Sequence, residues 1–311
     1  MSWLKWIFLF LGFVLLFRLF IADLYFVPTD SMEGSIIAGS YILVEKGGYG
    51  AKLPRSLREI PWVARLARWT GYNVPLWSNQ RMAGWRDVNR LDAVLTEMNG
   101  IKIIKRIVAM PGDQVEVKNG RCFINNKPAA EPADLKFTQT IYSDDTELLQ
   151  QLRTATEEPW TYLGDRTFKV VADSSYFAQL RQYPALRVRC IDQTAIDASE
   201  DRGIYPKARR GEWDRNNYGV LTVPYEGLEI ALDTESWATY CWTLELHEGV
   251  EVNCEQREAP FVINGQEESR YRFTKDYYFL LGDNRMESFD SRFFGCFPED
   301  ILFGRVSHVF N

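Results

Sequence analysis

Histidine is scarce in this chain: two residues, His247 and His308, in 311. With no HExxH spacing and no triad context around either, histidine-based hydrolysis and zinc-dependent proteolysis have almost no material to work with. An excess of basic residues is missing too. Lys and Arg number 36 against 42 Asp and Glu, a net charge of -6, whereas a surface that tracks phosphates along a strand needs the opposite balance, so no nucleic-acid partner is expected. The five cysteines, Cys122, Cys190, Cys241, Cys254 and Cys296, form no CxxC pair and no zinc spacing, and their odd number leaves at least one unpaired within the chain. Cys241 and Cys254 flank an expected hairpin and are the first pair to consider for a disulfide, with buried free thiols as the competing reading. No metal and no cofactor is implied, and there is no internal repeat or low-complexity tract.

What is present is ordinary globular composition, 46% hydrophobic and 25% charged, enough for one large or two smaller domains. The start departs from it. Residues 6–17 are wholly apolar, Lys5 precedes them, and Arg18 interrupts before apolar character resumes to Val27. A cleavable secretion signal would end in small residues at alternate positions. Here the candidate site reads Phe20-Ile21-Ala22, so the segment is expected to stay as a membrane anchor over 6–26. Arg18 within it would cost about 2.5 to 3.5 kcal/mol if central. Lys5 and the terminal amine precede the anchor and no Lys or Arg follows until Lys46, which keeps residues 1–5 in the cytoplasm and puts everything after about residue 26 outside it. Residues 47–87 carry Trp62, Trp69, Trp77 and Trp85 among several arginines. An amphipathic helix is expected over 56–69, suited to the lipid headgroup zone or, alternatively, to packing its tryptophans on the domain.

The remainder reads as mainly β. Strands are expected over 36–44, 90–95, 101–110, 114–117 and 121–124, the last two joined by an Asn119-Gly120 turn. They return over 220–223, 228–232, 261–263, 277–281 and 301–310. Between them, residues 130–218 are polar and mixed, with one helix expected over 146–155, and look like an inserted second domain; the β domain then comprises 27–129 and 219–311. In the segment Ile101-Lys102-Ile103-Ile104-Lys105-Arg106-Ile107-Val108, strand parity places Lys105 on one face with Ile101, Ile103 and Ile107. Lys102 and Arg106 share the other, where charges can meet water. Lys105 is thus at risk of burial, and an amine in apolar surroundings gives up its proton more easily and can act as a general base. The competing reading is an edge strand whose lysine reaches solvent.

Three segments then line up: Pro28-Thr29-Asp30-Ser31-Met32; Lys105-Arg106 leading to Met110-Pro111-Gly112-Asp113; and Gly282-Asp283-Asn284-Arg285 continuing through Ser288, Asp290, Ser291 and Arg292 to Gly295. Together they resemble the type I signal peptidases of bacteria, whose patterns KRxxxxPGD and GDNRxxSxDSRxxG occur here in order behind an apolar N-terminus. The resemblance covers roughly residues 1–46, 88–128 and 220–311. It implies an antiparallel β-sheet catalytic core of the signal-peptidase type with an inserted second domain, preceded by one N-terminal transmembrane helix.

The same resemblance implies a serine endopeptidase with a Ser/Lys dyad. Ser31 matches the nucleophile and Lys105 its general base, while Thr29 matches the hydroxyl that joins the Ser31 amide in stabilising the oxyanion. Ser288 matches the residue that orients the lysine, and Asp290 and Arg292 match a buried pair supporting it. Val27, Met32, Ile36 and Ile103 would line small apolar pockets that exclude bulk. The implied partners are signal peptides of secreted preproteins, cut after Ala-x-Ala type sites through an acyl-enzyme, and the lipid bilayer. The implied location is the inner (cytoplasmic) membrane, single-pass, with the catalytic domain on the extracytoplasmic side. Taken singly, Thr29, Asp30 and Ser31 would suit a helix cap and the last segment a polar turn. All three segments in order argue otherwise.

The sequence departs from the common pattern at Asp30, at Glu33-Gly34 and at Ala109-Met110, turn and packing positions that bear on pocket shape; a carboxylate at Asp30 is also expected to move the pH optimum to the alkaline side. Self-cleaving SOS repressors share Ser and Lys but cut an Ala-Gly bond ahead of the serine, whereas Ala38-Gly39 and Ala83-Gly84 both follow Ser31. The remaining alternative is a non-catalytic, membrane-anchored homologue that binds preproteins or assists export, and intact Ser31, Lys105 and Ser288 count against it.

Overall fold

A computed structural model of the chain describes residues 2–72, 74–78, 80–98, 100–132, 134–190, 203–209, 212–256 and 258–311. The apolar start is helix α1 (Ser2–Phe20), long and apolar enough to cross a membrane and with none of its span Trp3–Phe20 buried. It stops short of the expected anchor end at residue 26. Residues 22–26 instead form strand β1 (Ala22–Phe26), paired antiparallel with β2 (Tyr41–Glu45). Asp23 explains the stop: its buried carboxylate accepts from Arg18 Nε at 2.7 Å and lies 3.4 Å from Lys46 Nζ. A carboxylate holding two cations does not belong in hydrocarbon, so Arg18 ends the helix rather than sitting mid-span. The helix expected over 56–69 is also divided. A single 3₁₀ turn (Leu57–Glu59) and helix α2 (Val63–Thr70) are separated at Pro61, which has no N–H to donate, and at Trp62, whose φ is 66°.

Next come β3 (Ala93–Met98), β4 (Ile101–Ala109), β5 (Gln114–Lys118), β6 (Arg121–Ile124) and β7 (Lys127–Pro128). The expected polar insertion holds β8 (Phe137–Tyr142), α3 (Thr146–Thr154), β9 (Trp160–Gly164), β10 (Thr167–Ala172), α4 (Ser174–Leu180) and β11 (Arg187–Cys190). The chain continues with β12 (Tyr218–Thr222), β13 (Glu229–Ala231), α5 (Thr234–Thr243), β14 (Phe261–Ile263), β15 (Gln266–Glu268) and β16 (Arg270–Arg272). It ends with β17 (Tyr277–Leu281), α6 (Ser291–Phe294), β18 (Phe297–Pro298) and β19 (Leu302–Phe310).

The chain forms two compact units, Met1–Thr29, Ile36–Lys105 and Asp300–Asn311 in the first, Asp30–Ser35 and Arg106–Glu299 in the second. In the first, strands run in the order β1-β2-β19-β3, with β4 beside β3, around Ile42, Val44, Val94, Leu95 and Leu302. In the second, β4 from Arg106 onward pairs antiparallel with β17, Arg106 opposite Leu281 and Ala109 opposite Phe279. A further sheet orders β12-β5-β6-β7. Its β5–β6 turn has Asn119 and Gly120 both at positive φ, 50° and 76°, as a type I′ hairpin requires. This unit's main core gathers Val108, Val115, Tyr218, Trp237, Phe261, Phe273 and Phe279.

The insertion has its own sheet, β11-β8-β10-β9, and its own core of Ile141, Leu149, Val170, Phe177 and Leu180. The described strands are mainly antiparallel, as the sequence implies. Residues 191–202 and 210–211 of the expected insertion lie outside the described residues. Cys241 and Cys254 form a disulfide, and Cys122 and Cys296 are buried thiols. No hairpin lies between the bonded pair: Cys241 belongs to α5, which a reciprocal Asp233–Ser236 capping box starts.

Candidate active site

In the second unit, residues 30–35 form turns, with Glu33 N–H donating to the Asp30 carbonyl at 2.8 Å and Ser35 N–H to the Met32 carbonyl at 3.2 Å. No helix follows, so Asp30 and Ser31 are not capping one. The segment is held from outside. Asn284 N–H donates to the Ser31 carbonyl at 3.1 Å, and the Ser35 hydroxyl donates to the Asp283 carboxylate. Arg106 grips the same carboxylate, Nε at 2.8 Å and Nη2 at 2.5 Å, and its Nη2 also donates to Ser35 Oγ at 3.0 Å. The parity argument set Arg106 facing water. Asp283 covers it instead, leaving side-chain exposures of 12% and 2% for the pair. Ser35, Arg106 and Asp283 thus form a contact network around residues 30–35 that sequence reasoning missed; the available signal was that Arg106 and Asp283 lie inside two of the three quoted motifs.

Gly282 fixes the approach of two expected site residues. A Cβ there would fall 2.2 Å from Ser288 Oγ and 2.5 Å from the Ser31 carbonyl oxygen, both far inside contact distance, so only glycine lets the Ser31 main chain and the Ser288 side chain close on the same backbone. Ser288 is 2% exposed and its Oγ has no hydrogen-bond partner among the described residues. An orphaned hydroxyl of this kind costs about 1–3 kcal/mol unless a partner or function uses it.

Asp290 and Arg292 form the expected buried pair. Two guanidinium bonds reach the carboxylate, Nε to Oδ1 at 2.9 Å and Nη2 to Oδ2 at 2.8 Å, and Asp290 Oδ2 also accepts the Gly282 N–H at 3.1 Å. The remaining guanidinium donors reach the carbonyls of Arg215 at 2.9 Å and Arg285 at 2.6 Å. With Arg285 paired to Glu131 at 2.6 Å as well, the charged groups of this run form a buried, paired network rather than a solvated turn, and the Ser288 hydroxyl and Asn284 Oδ1 are the side-chain atoms it leaves without a partner among the described residues.

The first unit carries the other expected residues. Lys105 is 3% exposed, with Nζ donating to the Ile104 carbonyl at 2.9 Å. It does not reach solvent. Thr29 is exposed, Val27 and Ile36 are buried and Ile103 is half-buried, while Met32 is buried in the second unit. Val27 is pinned on both sides, its N–H donating to the Ser40 carbonyl at 3.0 Å and its carbonyl accepting Gly39 N–H at 2.8 Å. Lys105 and Arg106 are consecutive, so the lysine's main chain is one peptide bond from the arginine that clasps Asp283.

The chain matches the protein family described as Signal peptidase, peptidase S26, over residues 1–181 and 243–311, and it belongs to that family. It is a serine peptidase, a hydrolase, and its reaction is the removal of signal peptides. It is similar to Signal peptidase I of Buchnera aphidicola subsp. Schizaphis graminum (strain Sg), 22% identical over 305 residues that cover 95% of this chain and 70% of the relative. It is similar also to Signal peptidase I of Buchnera aphidicola subsp. Baizongia pistaciae (strain Bp), 22% identical over 299 residues covering 95% and 72%.

Proposed function

We propose that this membrane-anchored peptidase cuts by a Ser/Lys dyad in which Ser31 Oγ attacks the scissile carbonyl and Lys105 Nζ, neutral at that moment, takes the hydroxyl proton. The observation that carries this reading is the burial of Lys105, because an ammonium removed from water loses the hydration that favours its charged form. The tetrahedral oxyanion is stabilised by the Ser31 N–H and the Thr29 hydroxyl, donors each typically worth ~100- to 1,000-fold in rate. The protonated lysine gives its proton to the leaving amine, which leaves Ser31 as an ester. Water, deprotonated by the again neutral Lys105 amine, then hydrolyses the acyl-enzyme, and the lysine returns that proton to Ser31 Oγ. The unpartnered Ser288 hydroxyl is available to orient the amine, and the Asp290–Arg292 pair holds Gly282 through its N–H.

Val27, Met32, Ile36 and Ile103 form the small apolar pockets that select Ala-x-Ala sites. Helix α1 spans the inner membrane once, N-terminus in the cytoplasm, and presents the catalytic domain on the extracytoplasmic side, where a preprotein's cleavage site emerges. The test is cleavage of a preprotein by the full chain in detergent, with the product's new N-terminus sequenced. Cutting after the second alanine, lost when that alanine is replaced by leucine, is the expected result. Binding without cutting would show a non-catalytic homologue instead. Protease protection in inverted vesicles tests the orientation: the domain after α1 should be shielded.

A further inference from the structure

The first unit contains a polar cavity, about 220 Å³ in volume, that opens at the end of α1. Five cations and three carboxylates line it, and the carboxylates are already engaged. Asp23 holds Arg18 at 2.7 Å and Lys46 at 3.4 Å, Glu59 holds Arg55 at 2.8 Å, and Glu97 faces the same Arg55 at 3.6 Å. Lys52 and Lys102 are left over. Among the described residues neither is within ion-pair distance of a carboxylate, yet both ammoniums sit on one ring, Phe303, at 4.6 and 4.7 Å from its centroid. Lys102 also lies over Tyr25 at 4.9 Å, and Lys46 over that ring at 5.6 Å. Three ammoniums therefore surround two aromatic faces; among the described residues the side-chain acceptor within hydrogen-bond distance of Lys52 or Lys102 is the Tyr25 hydroxyl, 3.5 Å from Lys102 Nζ, and the Glu97 carboxylate acts on both lysines from farther off.

The place of the cavity says what anion reaches it. Arg18 belongs to the last turn of α1, whose apolar surface is otherwise exposed, so the cavity begins where a lipid-facing helix ends. Lys46 Nζ donates to the Arg18 carbonyl at 2.7 Å, which fixes the helix end to the cavity wall. Beside it the Arg18 guanidinium lies 5.6 Å from the centroid of Trp62, and Trp62 and Trp69 of the neighbouring α2 segment are exposed, the residue type enriched at headgroup depth. We propose that this cavity binds the phosphate of a membrane phospholipid, with Lys52 and Lys102 as its principal donors. Burial, together with neighbouring cations, lowers Lys46 and Lys52 to about 8, a penalty that a phosphate lodged between the ammoniums would offset. The proposal rests on α1 spanning a membrane, which the protease-protection experiment tests separately, and it does not depend on the Ser/Lys assignment.

The experiment is native mass spectrometry of the full chain released from non-ionic detergent, titrated with phosphatidylglycerol, with diacylglycerol of the same chains, and with inorganic phosphate. One phosphatidylglycerol retained per chain, no retained diacylglycerol, and retention about 30-fold weaker in the Lys52→Gln/Lys102→Gln double variant are the expected results, the loss expected from two basic side chains at an anionic surface. The Lys52→Arg/Lys102→Arg variant should keep the lipid, which separates a charge requirement from a damaged fold. Equal retention by the glutamine variant, or equal retention of diacylglycerol, would overturn the site. Displacement of the lipid by inorganic phosphate at equal concentration would show a free-anion site and overturn the lipid assignment.

Discussion

Asp283 ties together three stretches of the second unit. Its carboxylate joins Arg106 to Ser35, and its neighbours Gly282 and Asn284 meet the Ser31 main chain. Replacing it leaves the Arg106 guanidinium buried without its counter-charge, and breaking a buried pair from one side typically costs about 3–5 kcal/mol. Asp283→Ala is therefore expected to lower the unfolding free energy from urea titration by that order and to slow cleavage through a displaced Ser31 loop, whereas Arg106→Lys should lose less. Gly282→Ala should abolish cleavage in a chain that still folds, because its methyl group falls on Ser288 and on the Ser31 carbonyl; circular dichroism beside a cleavage assay checks both halves. At this scale the sequence was informative where the reasoning was local. Strand parity buries Lys105 from eight consecutive letters, but the partner of Arg106 lies 177 positions away, and no periodicity reports a contact of that separation.

Elements were legible where pattern and turn chemistry agreed. β6, β14 and β17 have the expected bounds, and Asn119-Gly120 makes the expected hairpin. The strands of the insertion escaped notice because β8 reads Phe-Thr-Gln-Thr-Ile-Tyr and buries Thr138 and Gln139, so its polar letters imitate a surface loop. The anchor's end was misplaced for the opposite reason: apolar letters continue past Phe20, while one charged residue, Asp23, decides where the helix stops. The Cys241–Cys254 bond ties α5 to the chain 13 residues on. Closing a loop of that length is worth about 3 kcal/mol on the chain-entropy account. Cys241→Ser/Cys254→Ser should lose stability of that order in urea while leaving the KM for preprotein unchanged, since neither cysteine belongs to the proposed site.

For the molecule as a whole, the sequence identified the family, the mainly antiparallel fold and a helix fit to cross a membrane. It did not show the cation-lined cavity, whose walls come from residues as far apart as Arg18 and Phe303. That cavity gives the protein a pH signature. Lys46 and Lys52 fall from 10.5 to about 8, chiefly by burial, with Arg18 and Lys102 opposing Asp23 at the first and Arg55 and Arg81 opposing Asp300 and Glu97 at the second. Between about pH 8 and 10.5 the unfolded chain then binds more protons than the folded one, so their contribution to stability rises with pH across that window. Comparing the chain with Lys46→Gln/Lys52→Gln by urea titration at pH 7.5 and 10 should show this rise in the parent and a smaller one in the variant.

The most direct test of the Ser/Lys account is single-turnover cleavage of one Ala-x-Ala preprotein by the parent chain, Ser31→Ala and Lys105→Ala, each first shown to be folded. The account predicts release of the mature protein by the parent alone, with at least a roughly 100-fold loss in Lys105→Ala, the scale of a missing general base, and no acyl-enzyme in Ser31→Ala. Cleavage by Lys105→Ala at the parent's rate would contradict it.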